Sequence, residues 1–399
     1  MEYTIVKSDF FDDFKCSADK CKYHCCQEWR IDLNKHDYDK MRGLRGASKE
    51  TQEKIKKYII RNKNISDNQA YANIHYGKNG LCPFFDGLCT LQVEFGYNIL
   101  CDICKIFPRT KLVATKHNSV EQHLTTGCEE VVKLLMNKPE GIQLKMETTT
   151  SGEIFKNANK VLNDVNPIQD YYWDIKIMCM NILQNRLLSM DDRMVHLGMA
   201  LQEIDNINKS GDLSNLDSVI NEFNSQSQSG FLADMLKDIP QHSDNVVMSM
   251  LSIIFLSKGD ILFNKIKSNL NIRENDKTFS FDMDLYKKAN ETMFNIPDFK
   301  EYIWENFVIN TFLNLMSPFA LGDYSIFENY CFFANIYSLM KIYLAGYIGN
   351  EPTEDNLIMG MVCFSRIFLH TIPGRKLLAK QLKAFNTTTL AAATLMIKA

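Results

Sequence analysis

Two cysteine-rich stretches stand out early in the chain, CSADKCKYHCC at residues 16–26 and CPFFDGLCTLQVEFGYNILCDIC at residues 82–104. Together with Cys128 they hold nine of the twelve cysteines. Packing does not require this grouping, because Ala or Val fills the same space in a core. Thiolates at short spacings are what a soft metal or an iron–sulfur cluster needs. The sequence therefore predicts a metal centre, with nine candidate ligands: Cys16, Cys21, Cys25, Cys26, Cys82, Cys89, Cys101, Cys104 and Cys128.

Composition and charge narrow the class of protein. The 399 residues are 23% charged and 45% hydrophobic, which is ordinary for a globular chain of up to two domains. A net charge of −3 gives no general attraction to nucleic acid or to an anionic membrane, so we expect neither partner. The N-terminus has no apolar signal core, which predicts a cytoplasmic protein whose cysteines bind metal and do not form disulfides.

The longest apolar run covers residues 330–348. It carries Asn335 and Lys341 near its middle, and membrane spans rarely hold such side chains. We therefore predict a buried helix at this position.

The cysteine spacing does not decide the metal. Zinc sites usually show paired Cys-x2-Cys, and here only Cys101 and Cys104 have that form. The adjacent Cys25 and Cys26 are awkward ligands for one tetrahedral zinc, and the thiols outnumber the ligands of a single site. A structural zinc site and one or two iron–sulfur clusters both stay open. Further candidate ligands in this half of the chain are His24, His36, His75, His117 and His123.

Local signals place several of these residues. An Asp-Gly pair within Leu81–Cys89 predicts a hairpin. Pro108 biases Phe107 towards an extended backbone, which presents Arg109 from a fixed position. Because a guanidinium suits carboxylate or phosphate groups, Arg109 is a candidate cofactor-binding residue, with a structural ion pair as the alternative.

A capping-box pattern precedes the apolar run after residue 130. It predicts Thr126 as the N-cap, with Cys128 in the first helical turn and Glu129 at the third helical position. The positive end of the helix would then lower the pKa of the Cys128 thiol.

The fold class that we predict is mainly α. The polar segment Asn137–Glu153 predicts a boundary between a small cysteine-rich metal-cluster domain at residues 1–140 and a larger all-helical domain at residues 154–399. The second domain is expected to bind a protein substrate. Residues 1–15 are expected to be a short lead-in whose phenylalanines pack under the metal site.

Helical periodicity continues through most of the second half. Tyr171–Leu188 and Met190–Ile207 resemble a helical hairpin in which Ser189 caps the second helix. Ser210–Ser229 is rich in Asn, Ser and Gln, which predicts a mobile loop. Further helices are expected near residues 231–238, 246–269, 283–293, 299–316, 324–348, 356–370 and 375–386.

Polar side chains within these helices, such as Glu305, Arg366 and His370, are explained by helix packing and hydrogen bonding. The sequence contains neither a dinucleotide fingerprint nor a P-loop, and no residue is assigned a catalytic role. The residues alone therefore indicate a cysteine-rich metal domain joined to a helical domain.

The cysteine order resembles that of a known family. Cys-x4-Cys-x3-Cys-Cys, Cys-Pro-Phe-Phe-x-x-Leu-Cys and Cys-x2-Cys-x2-Phe-Pro-Arg are similar to the cysteine-rich module of the flagellin lysine N-methylase family (FliB), within a wider double-cysteine group of zinc- or iron-chelating proteins. In the helical half, Trp304-Glu-Asn-Phe-Val-Ile-Asn310 and the pair Arg366 and His370 resemble it too. The resemblance covers most of the chain.

This resemblance implies an enzyme that methylates lysine side chains of flagellin, with S-adenosylmethionine as the methyl donor and a [4Fe-4S] cluster. By position, the cysteines most like the family's are Cys16, Cys21, Cys25, Cys26, Cys82, Cys89 and Cys104. Two rival functions are a metal-stabilised scaffold that binds a protein partner and an electron-transfer protein.

Overall fold

The structure is a computed structural model. It describes residues 2–27, 31–63, 70–77, 80–155, 160–162, 166–230, 232–236, 239, 244–256, 261–274, 279–294, 296, 300–319, 324–370 and 388–399. The helix predicted at 375–386 lies outside these ranges.

Helices dominate the described chain, which confirms the mainly α fold class. They are α1 (Lys35–Arg42), α2 (Lys49–Tyr58), α3 (Thr90–Phe95), α4 (Asp102–Ile106), α5 (Glu129–Met136), α6 (Tyr172–Leu183), α7 (Met190–Ser210), α8 (Leu216–Gln226), α9 (Ala233–Leu236), α10 (Asp244–Leu256), α11 (Ile261–Asn269), α12 (Met283–Phe294), α13 (Glu301–Leu315), α14 (Ile326–Ile348), α15 (Glu354–Phe364) and α16 (Leu390–Ile397).

The helical hairpin and the cap at Ser189 that the sequence predicts are confirmed. Ser48 precedes α2, and its Oγ accepts a hydrogen bond from the Thr51 amide at 3.1 Å. Ser189 caps α7 in the same way, through the Asp192 amide at 3.2 Å. Each such cap satisfies an amide that would otherwise lack a partner at the helix start and contributes about 1 kcal/mol.

Helix α14 is the centre of the helical half. It contacts α7, α10, α11, α12, α15 and α16, and its apolar window is entirely buried, as the sequence predicts. Lys341 is accommodated because its Nζ donates to the Ile397 carbonyl at 2.7 Å and lies 3.2 Å from Asp191 Oδ2. This partnering explains how a lysine is tolerated within a buried apolar helix.

The structure contains a five-stranded sheet that was not predicted. The described chain has strands in this sheet and in three smaller sheets. The strands are β1 (Tyr3–Ser8), β2 (Ile31–Leu33), β3 (Ile59–Arg61), β4 (Ala72–Ile74), β5 (Phe85–Asp86), β6 (Leu88–Cys89), β7 (Arg109–Ala114), β8 (Ser119–Leu124), β9 (Leu144–Thr149), β10 (Lys160–Leu162), β11 (Arg273–Glu274) and β12 (Phe279–Ser280). The large sheet has the order β10-β7-β8-β1-β9, with β1 parallel to β8 and antiparallel to β9. The N-terminal segment expected as a lead-in therefore contains an interior strand.

A second, smaller core lies beside this sheet. It joins α1, α2 and α3 to the three-stranded sheet β2-β4-β3, and it contains Ile31, Ile59 and Phe84. Two of the candidate ligands, Cys82 and Cys101, are buried in it. The predicted Asp-Gly hairpin is confirmed, with β5 and β6 paired around Gly87. A positive φ of 73° there suits glycine because it has no Cβ.

The larger core extends across the predicted domain boundary. It includes Phe10 and Phe14 near the N-terminus, Leu112 of β7 and Val131 of α5, together with the buried faces of the C-terminal helices. Helix α5 packs on α13 and α15, and the segment Asn137–Glu153 contains the edge strand β9. The division at residues 1–140 and 154–399 stays a prediction, and the phenylalanines join the large core.

The polar segment Ser210–Ser229 is not the predicted loop. Leu216, Val219 and Ile220 are buried, and Phe223 packs against the core, on one face of α8. This spacing of apolar residues is helical, and the stripe is enough to hold the helix against α6 and α7 despite its polar outer face.

A fully buried polar network joins the sheet to α6. Glu121 accepts hydrogen bonds from Lys176 Nζ at 2.5 Å, from His123 Nε2 at 2.9 Å and from the Tyr172 hydroxyl. His123 Nδ1 in turn contacts Ser8 Oγ at 2.8 Å, so β1, β8 and α6 are tied together. Burial lowers the pKa of His123 although Glu121 opposes it, so the ring is a neutral hydrogen-bond partner.

Candidate metal centre and adjoining cleft

Six of the nine predicted ligands come together between the small core and the loop that precedes β2. Hydrogen bonds join Cys25 to Cys26, Cys26 to Cys82, and Cys101 to Cys104. The pairs are close enough for the charge of Cys25 to act on both Cys89 and Cys104. We call this set the six-cysteine cluster; its members are Cys25, Cys26, Cys82, Cys89, Cys101 and Cys104.

Local structure explains how these residues meet. Cys82 precedes the β5-β6 hairpin and Cys89 ends it, whereas Cys101 and Cys104 bracket the start of the short helix α4. The loop carrying Cys25 and Cys26 docks on the hairpin through a hydrogen bond of 2.8 Å from the Cys82 amide to the Cys26 carbonyl. Residues more than fifty positions apart are thus held together by backbone contacts.

The other three candidates flank this cluster. Cys21 interacts electrostatically with Cys16 and Cys25, and Cys128 interacts with Cys21 and Cys25. The nine predicted cysteines therefore form one connected region. None of the twelve cysteines, all of which lie in the described part of the chain, forms a disulfide, and Cys16, Cys25 and Cys104 are exposed.

Burial and thiol–thiol contacts both favour protonated sulfurs. The hydrogen bond with Cys26 and then burial raise the pKa of Cys25 well above its usual range. For Cys26, the hydrogen bond with Cys25 lowers the pKa, but the hydrogen bond with Cys82 and burial raise it more, to about 12. Burial and the nearby carboxylate of Glu129 raise the pKa of Cys21 to about 11. Several thiolates in this region therefore require a compensating cation.

The donor chemistry of the cluster fits a thiophilic metal or an iron–sulfur cluster, because six sulfurs lie within reach of one another's charges. Among the described residues, no three or more His, Cys, Asp and Glu side chains are already placed to hold a metal ion. The thiols are instead in hydrogen-bonding contact with one another. Ligation would replace those contacts.

Cys128 does not occupy the predicted position. It is itself the N-cap of α5, and the Thr126 hydroxyl contacts Ser365 Oγ at 2.5 Å and makes no cap. Burial raises the pKa of Cys128 to about 12, although the nearby backbone of Val131 and Glu130 opposes the shift. The predicted fall in pKa is wrong because burial of the thiol outweighs the helix terminus.

Two other predicted residues have well-defined surroundings. The Arg109 guanidinium is exposed at the start of β7 and lies 5.1 Å from the Phe14 ring and 6.0 Å from the Phe11 ring. This is a cation–π arrangement, and the role of Arg109 in cofactor binding stays a prediction. His24 stacks on Phe85 at 3.9 Å, whereas His123 belongs to the buried Glu121 network.

Arg366 fastens the cysteine loop to the helical half. Its three nitrogens donate to the carbonyls of Gly127 at 3.0 Å, Gln27 at 3.1 Å and Tyr23 at 2.8 Å. The Tyr23 amide also donates to Glu129 Oε2 at 2.7 Å. The sequence predicts helix packing and hydrogen bonding for Arg366, and the hydrogen bonds are present. Their link to the cysteine loop was not predicted, because the three backbone partners carry no residue-specific signal.

Arg366 lies in a π-helical turn, Ser365–Leu369, that comes directly after α15. Such turns are uncommon and often occur at functional sites. Here the wider turn precedes His370, whose Nε2 contacts the Thr125 hydroxyl. Gly127 is needed at this point, because a Cβ there would lie 3.0 Å from His370 Nε2.

We expect Arg366→Lys to loosen the cysteine loop, because a single ammonium cannot replace a three-way guanidinium contact. The loss of buried hydrogen bonds predicts about 1–3 kcal/mol of lower unfolding free energy. Hydrogen exchange at residues 20–27 should rise, and a chelator should remove bound metal several-fold faster.

Asp355→Ala is the matched control for this experiment. Asp355 also contacts the loop, through Lys22 at 2.5 Å, but that pair is exposed. An exposed ion pair is worth little, so the control should behave like the wild type. Equal exchange in Arg366→Lys and wild type would show that Arg366 does not hold the loop.

A cleft of about 150 Å³ lies on the other side of this turn. It is formed where β7, the turn after β8, α13 and the π-helical turn meet. Its lining residues are Thr110, Leu112, Thr125, Thr126, Asn310, Thr311, Asn314, Leu315, Leu369 and His370. Sequence reasoning missed this site, since Thr and Asn at these spacings look like ordinary helix and strand residues.

The chain is similar to proteins of one family. The family model described as the FliB lysine N-methylase C-terminal domain matches residues 176–396. The "Lysine-N-methylase" proteins of Salmonella choleraesuis (strain SC-B67) and Salmonella typhimurium (strain LT2) are each 29% identical over 177 residues, which is 41% of this chain and 41% of theirs. "Flagellar biosynthetic protein FliU" of Salmonella muenchen is 31% identical over 153 residues, covering 36% of this chain and 83% of FliU.

These matches cover different shares of the proteins. The alignments span about two-fifths of the length of the two lysine-N-methylases. The family-model match covers more than half of this chain but begins after the nine clustered cysteines, so membership of the wider double-cysteine group stays a prediction. No solved structure matches the chain. On the family-model match and the FliU alignment, the chain belongs to the FliB lysine N-methylase family.

Proposed function

We propose that this protein is a lysine N-methyltransferase that acts on flagellin in the cytoplasm, with S-adenosylmethionine as the methyl donor and a [4Fe-4S] cluster. The observation that carries the proposal is the match of residues 176–396 to the FliB lysine N-methylase C-terminal domain. The name of the similar FliU protein, a flagellar biosynthetic protein, supports flagellin as the substrate.

The six-cysteine cluster supports the cofactor. A [4Fe-4S] cluster takes four thiolates, and the six sulfurs near Cys25 offer that number with two to spare. When bound, such a cluster either orients the methyl donor at an open iron site or carries out redox chemistry on it. The buried and partly buried sulfurs Cys26, Cys82 and Cys101 are the ligands we favour within it, together with the adjacent Cys25.

The chemistry sets one requirement on the protein. A lysine side chain has an ordinary pKa near 10.4, so in neutral solution it is an ammonium without a lone pair. Methyl transfer to nitrogen therefore needs a deprotonated amine or a strongly activated methyl group. An environment that is low in negative charge favours the neutral amine by making the ammonium costly.

The rival function is a metal-stabilised scaffold or electron-transfer protein. Burial of Cys82, Cys101 and Cys128 supports it, because closed sites are typical of structural metals. The cleft beside the cysteine loop supports the enzyme, because a concave site lined by both aliphatic and polar side chains is typical of ligand binding.

Anaerobic purification followed by a methyl-transfer assay tests the proposal. We expect brown protein that contains iron and sulfide, and transfer of methyl groups from S-adenosylmethionine to flagellin lysines, scored by mass spectrometry. Zinc-loaded protein is the control and should be colourless and inactive. Fully metallated protein that methylates no flagellin, including that of its own host, would contradict the enzyme and favour the scaffold.

A further inference from the structure

Among the residues that the structure describes, the side chains lining the cleft of about 150 Å³ include a buried polar atom without a hydrogen-bond partner. Asn310, on α13, is 1% exposed, and its Oδ1 has no hydrogen bond. Leaving a buried acceptor unpaired is costly, and such groups in native structures usually have a role. An acceptor in this position can take a hydrogen bond from the donor of a ligand bound in the cleft.

The other polar side chains of the lining are already engaged. Thr110 Oγ1 donates to Asn314 Oδ1 at 2.8 Å, and Thr311 Oγ1 donates to the Phe307 carbonyl at 2.8 Å. Thr125 contacts His370, and Thr126 contacts Ser365. These bonds fix the walls of the cleft and leave Asn310 Oδ1 as the acceptor available to a ligand.

The lining also defines the charge of that ligand. None of the lining residues in the described part of the chain is Asp or Glu, so no carboxylate among them compensates a buried positive charge. Leu112, Leu315 and Leu369 give the cleft aliphatic walls. The combination suits an aliphatic chain that ends in a neutral hydrogen-bond donor, because an ammonium would lose its hydration without a counter-charge.

The volume of the cleft further narrows the choice of ligand. Sites for drug-sized ligands occupy roughly 300–1,000 Å³, so a cleft of about 150 Å³ is too small for whole S-adenosylmethionine. A lysine side chain, with four methylenes and one nitrogen, is of suitable size and carries the donor that Asn310 lacks.

The cleft shares a wall with the cysteine region. His370 lines the cleft and packs on Gly127, while Arg366, four residues earlier, binds Gly127 and influences the Cys25 thiol. A group held in the cleft is therefore separated from the cysteine loop by one turn of chain. A substrate site must lie close to the cofactor site, and the cleft and the cysteine loop meet this requirement.

We propose that this cleft receives the substrate lysine side chain as a neutral amine, with Asn310 Oδ1 as the acceptor for its N–H. The inference rests on the proposed lysine methylation and names the substrate pocket for it. Asn310 is then a binding residue that holds the nitrogen without a balancing charge. The amine keeps a free lone pair for methyl transfer.

Binding of a small lysine probe to the metal-loaded, full-length protein tests this site without any methyl transfer. We use Nα-acetyl-lysine methylamide and, as the matched probe without the amine, Nα-acetyl-norleucine methylamide, both followed by NMR. The lysine probe should bind and the norleucine probe should not. Its affinity should rise about tenfold per pH unit between pH 7 and 9, because the neutral fraction rises by that factor below a pKa of about 10.4.

Asn310→Leu removes the acceptor with little change of shape. It should lower the affinity for the lysine probe by about tenfold, the equivalent of one hydrogen bond. If this variant is insoluble, Asn310→Ala removes the same acceptor. A purely structural Asn310 predicts unchanged binding and equal or higher thermal stability. Ser317→Ala is the control, since Ser317 Oγ is also buried and unpartnered but does not line the cleft.

The outcomes separate this inference from the proposed function. Binding that needs Asn310 and rises with pH supports the pocket even if no methyl transfer is found. Flagellin methylation that is unchanged in Asn310→Leu, or a lysine probe that binds no better than norleucine, overturns the pocket and leaves the methylase standing. Affinity that is flat with pH overturns the neutral amine. A cleft that holds water only would bind neither probe and would overturn the pocket as well.

Discussion

Lys176→Met should lower the free energy of unfolding by about 3–5 kcal/mol, the cost of leaving a buried charge without its partner. Lys176 and Glu121 are both fully buried, and Nζ lies 2.5 Å from Oε2. Removing the Lys176 ammonium leaves the Glu121 carboxylate buried and unpaired between the sheet and α6. Urea and thermal unfolding of the purified protein should show the loss as an earlier transition.

Two controls separate this effect from ordinary loss of a salt bridge. Lys35→Met removes the exposed pair with Asp39, where both side chains are more than half exposed, and should cost less than about 1 kcal/mol. The double variant Lys176→Met with Glu121→Gln removes both charges and should recover much of the loss, since no buried ion then remains. Equal stability of Lys176→Met and Lys35→Met would contradict a critical role for the buried pair.

The same network predicts acid sensitivity. Burial alone would raise the pKa of Glu121, but Lys176 and His123 lower it from 4.5 to about 2. The ionised carboxylate therefore contributes stability that is present above pH 4.5 and is lost as pH falls towards 2. The size of the shift corresponds to about 3 kcal/mol.

His123 acts in the same direction at higher pH. Its pKa is lowered from 6.5 by burial, so the contribution of the neutral ring is present above pH 6.5 and is lost as pH falls below that value. Glu121→Gln should remove the part of the pH dependence that lies between 4.5 and 2. A stability profile of the wild type that is flat from pH 7 to 3 would contradict both assignments.

The helical half could be predicted because its signals are local. Ser189 stands directly before periodic apolar residues, and a cap of this kind acts within four residues. The helix α8 was missed because Asn, Ser and Gln mask the four apolar residues that bury its inner face. The composition of residues 210–229 predicted a loop, but packing of the apolar face against the core stabilises a helix.

The sheet could not be predicted because its stabilising contacts are distant in sequence. Strand β8 carries Glu121 and His123 on what looks like a polar segment, and their partners Lys176 and Ser8 lie 55 and 115 residues away. Without those partners, the strand has too weak an alternation to stand out.

In the candidate metal centre, too, local features could be predicted from the sequence and contacts between distant residues could not. Residue type and spacing were sufficient to single out nine cysteines as candidate ligands, because thiols have a distinctive chemistry, and their role as ligands stays a prediction. Neither the convergence of six of them nor the contacts of Arg366 were predictable, since backbone carbonyls such as that of Tyr23 carry no residue-specific pattern. Asn310 belongs to the Trp304–Asn310 stretch that resembles the family, but its unpaired amide oxygen could not be predicted, because it becomes evident only once its neighbours are placed.

Cys25→Ser and Cys26→Ser should each abolish iron binding and methyl transfer. The two residues are adjacent, hydrogen-bonded to each other and linked through Cys26 to Cys82. Adjacent thiols leave little room for a substitute ligand, and a serine hydroxyl is a harder, more weakly iron-binding donor than a thiolate. We expect near-complete loss of iron, sulfide and brown colour.

Cys331→Ala is the control for this experiment, because Cys331 is buried in α14 and lies outside the clustered segment. It should keep both iron and activity, apart from a modest loss of stability for a smaller core side chain. The variants are compared after anaerobic purification by iron and sulfide content, by thermal unfolding and by mass spectrometry of flagellin lysines.

The decisive comparison is between folding, metal and activity in one sample. A folded Cys25→Ser protein that has lost iron and activity together, beside an active Cys331→Ala protein, supports a cluster that the reaction needs. A folded Cys25→Ser protein that has lost its iron and still methylates at the wild-type rate would refute cluster-dependent methylation. Iron-free wild type would do the same and leave the cysteines as a zinc site. Because Cys25, like Cys104, is exposed whereas Cys82 and Cys101 are buried, serine at Cys25 should perturb packing little and test ligation directly.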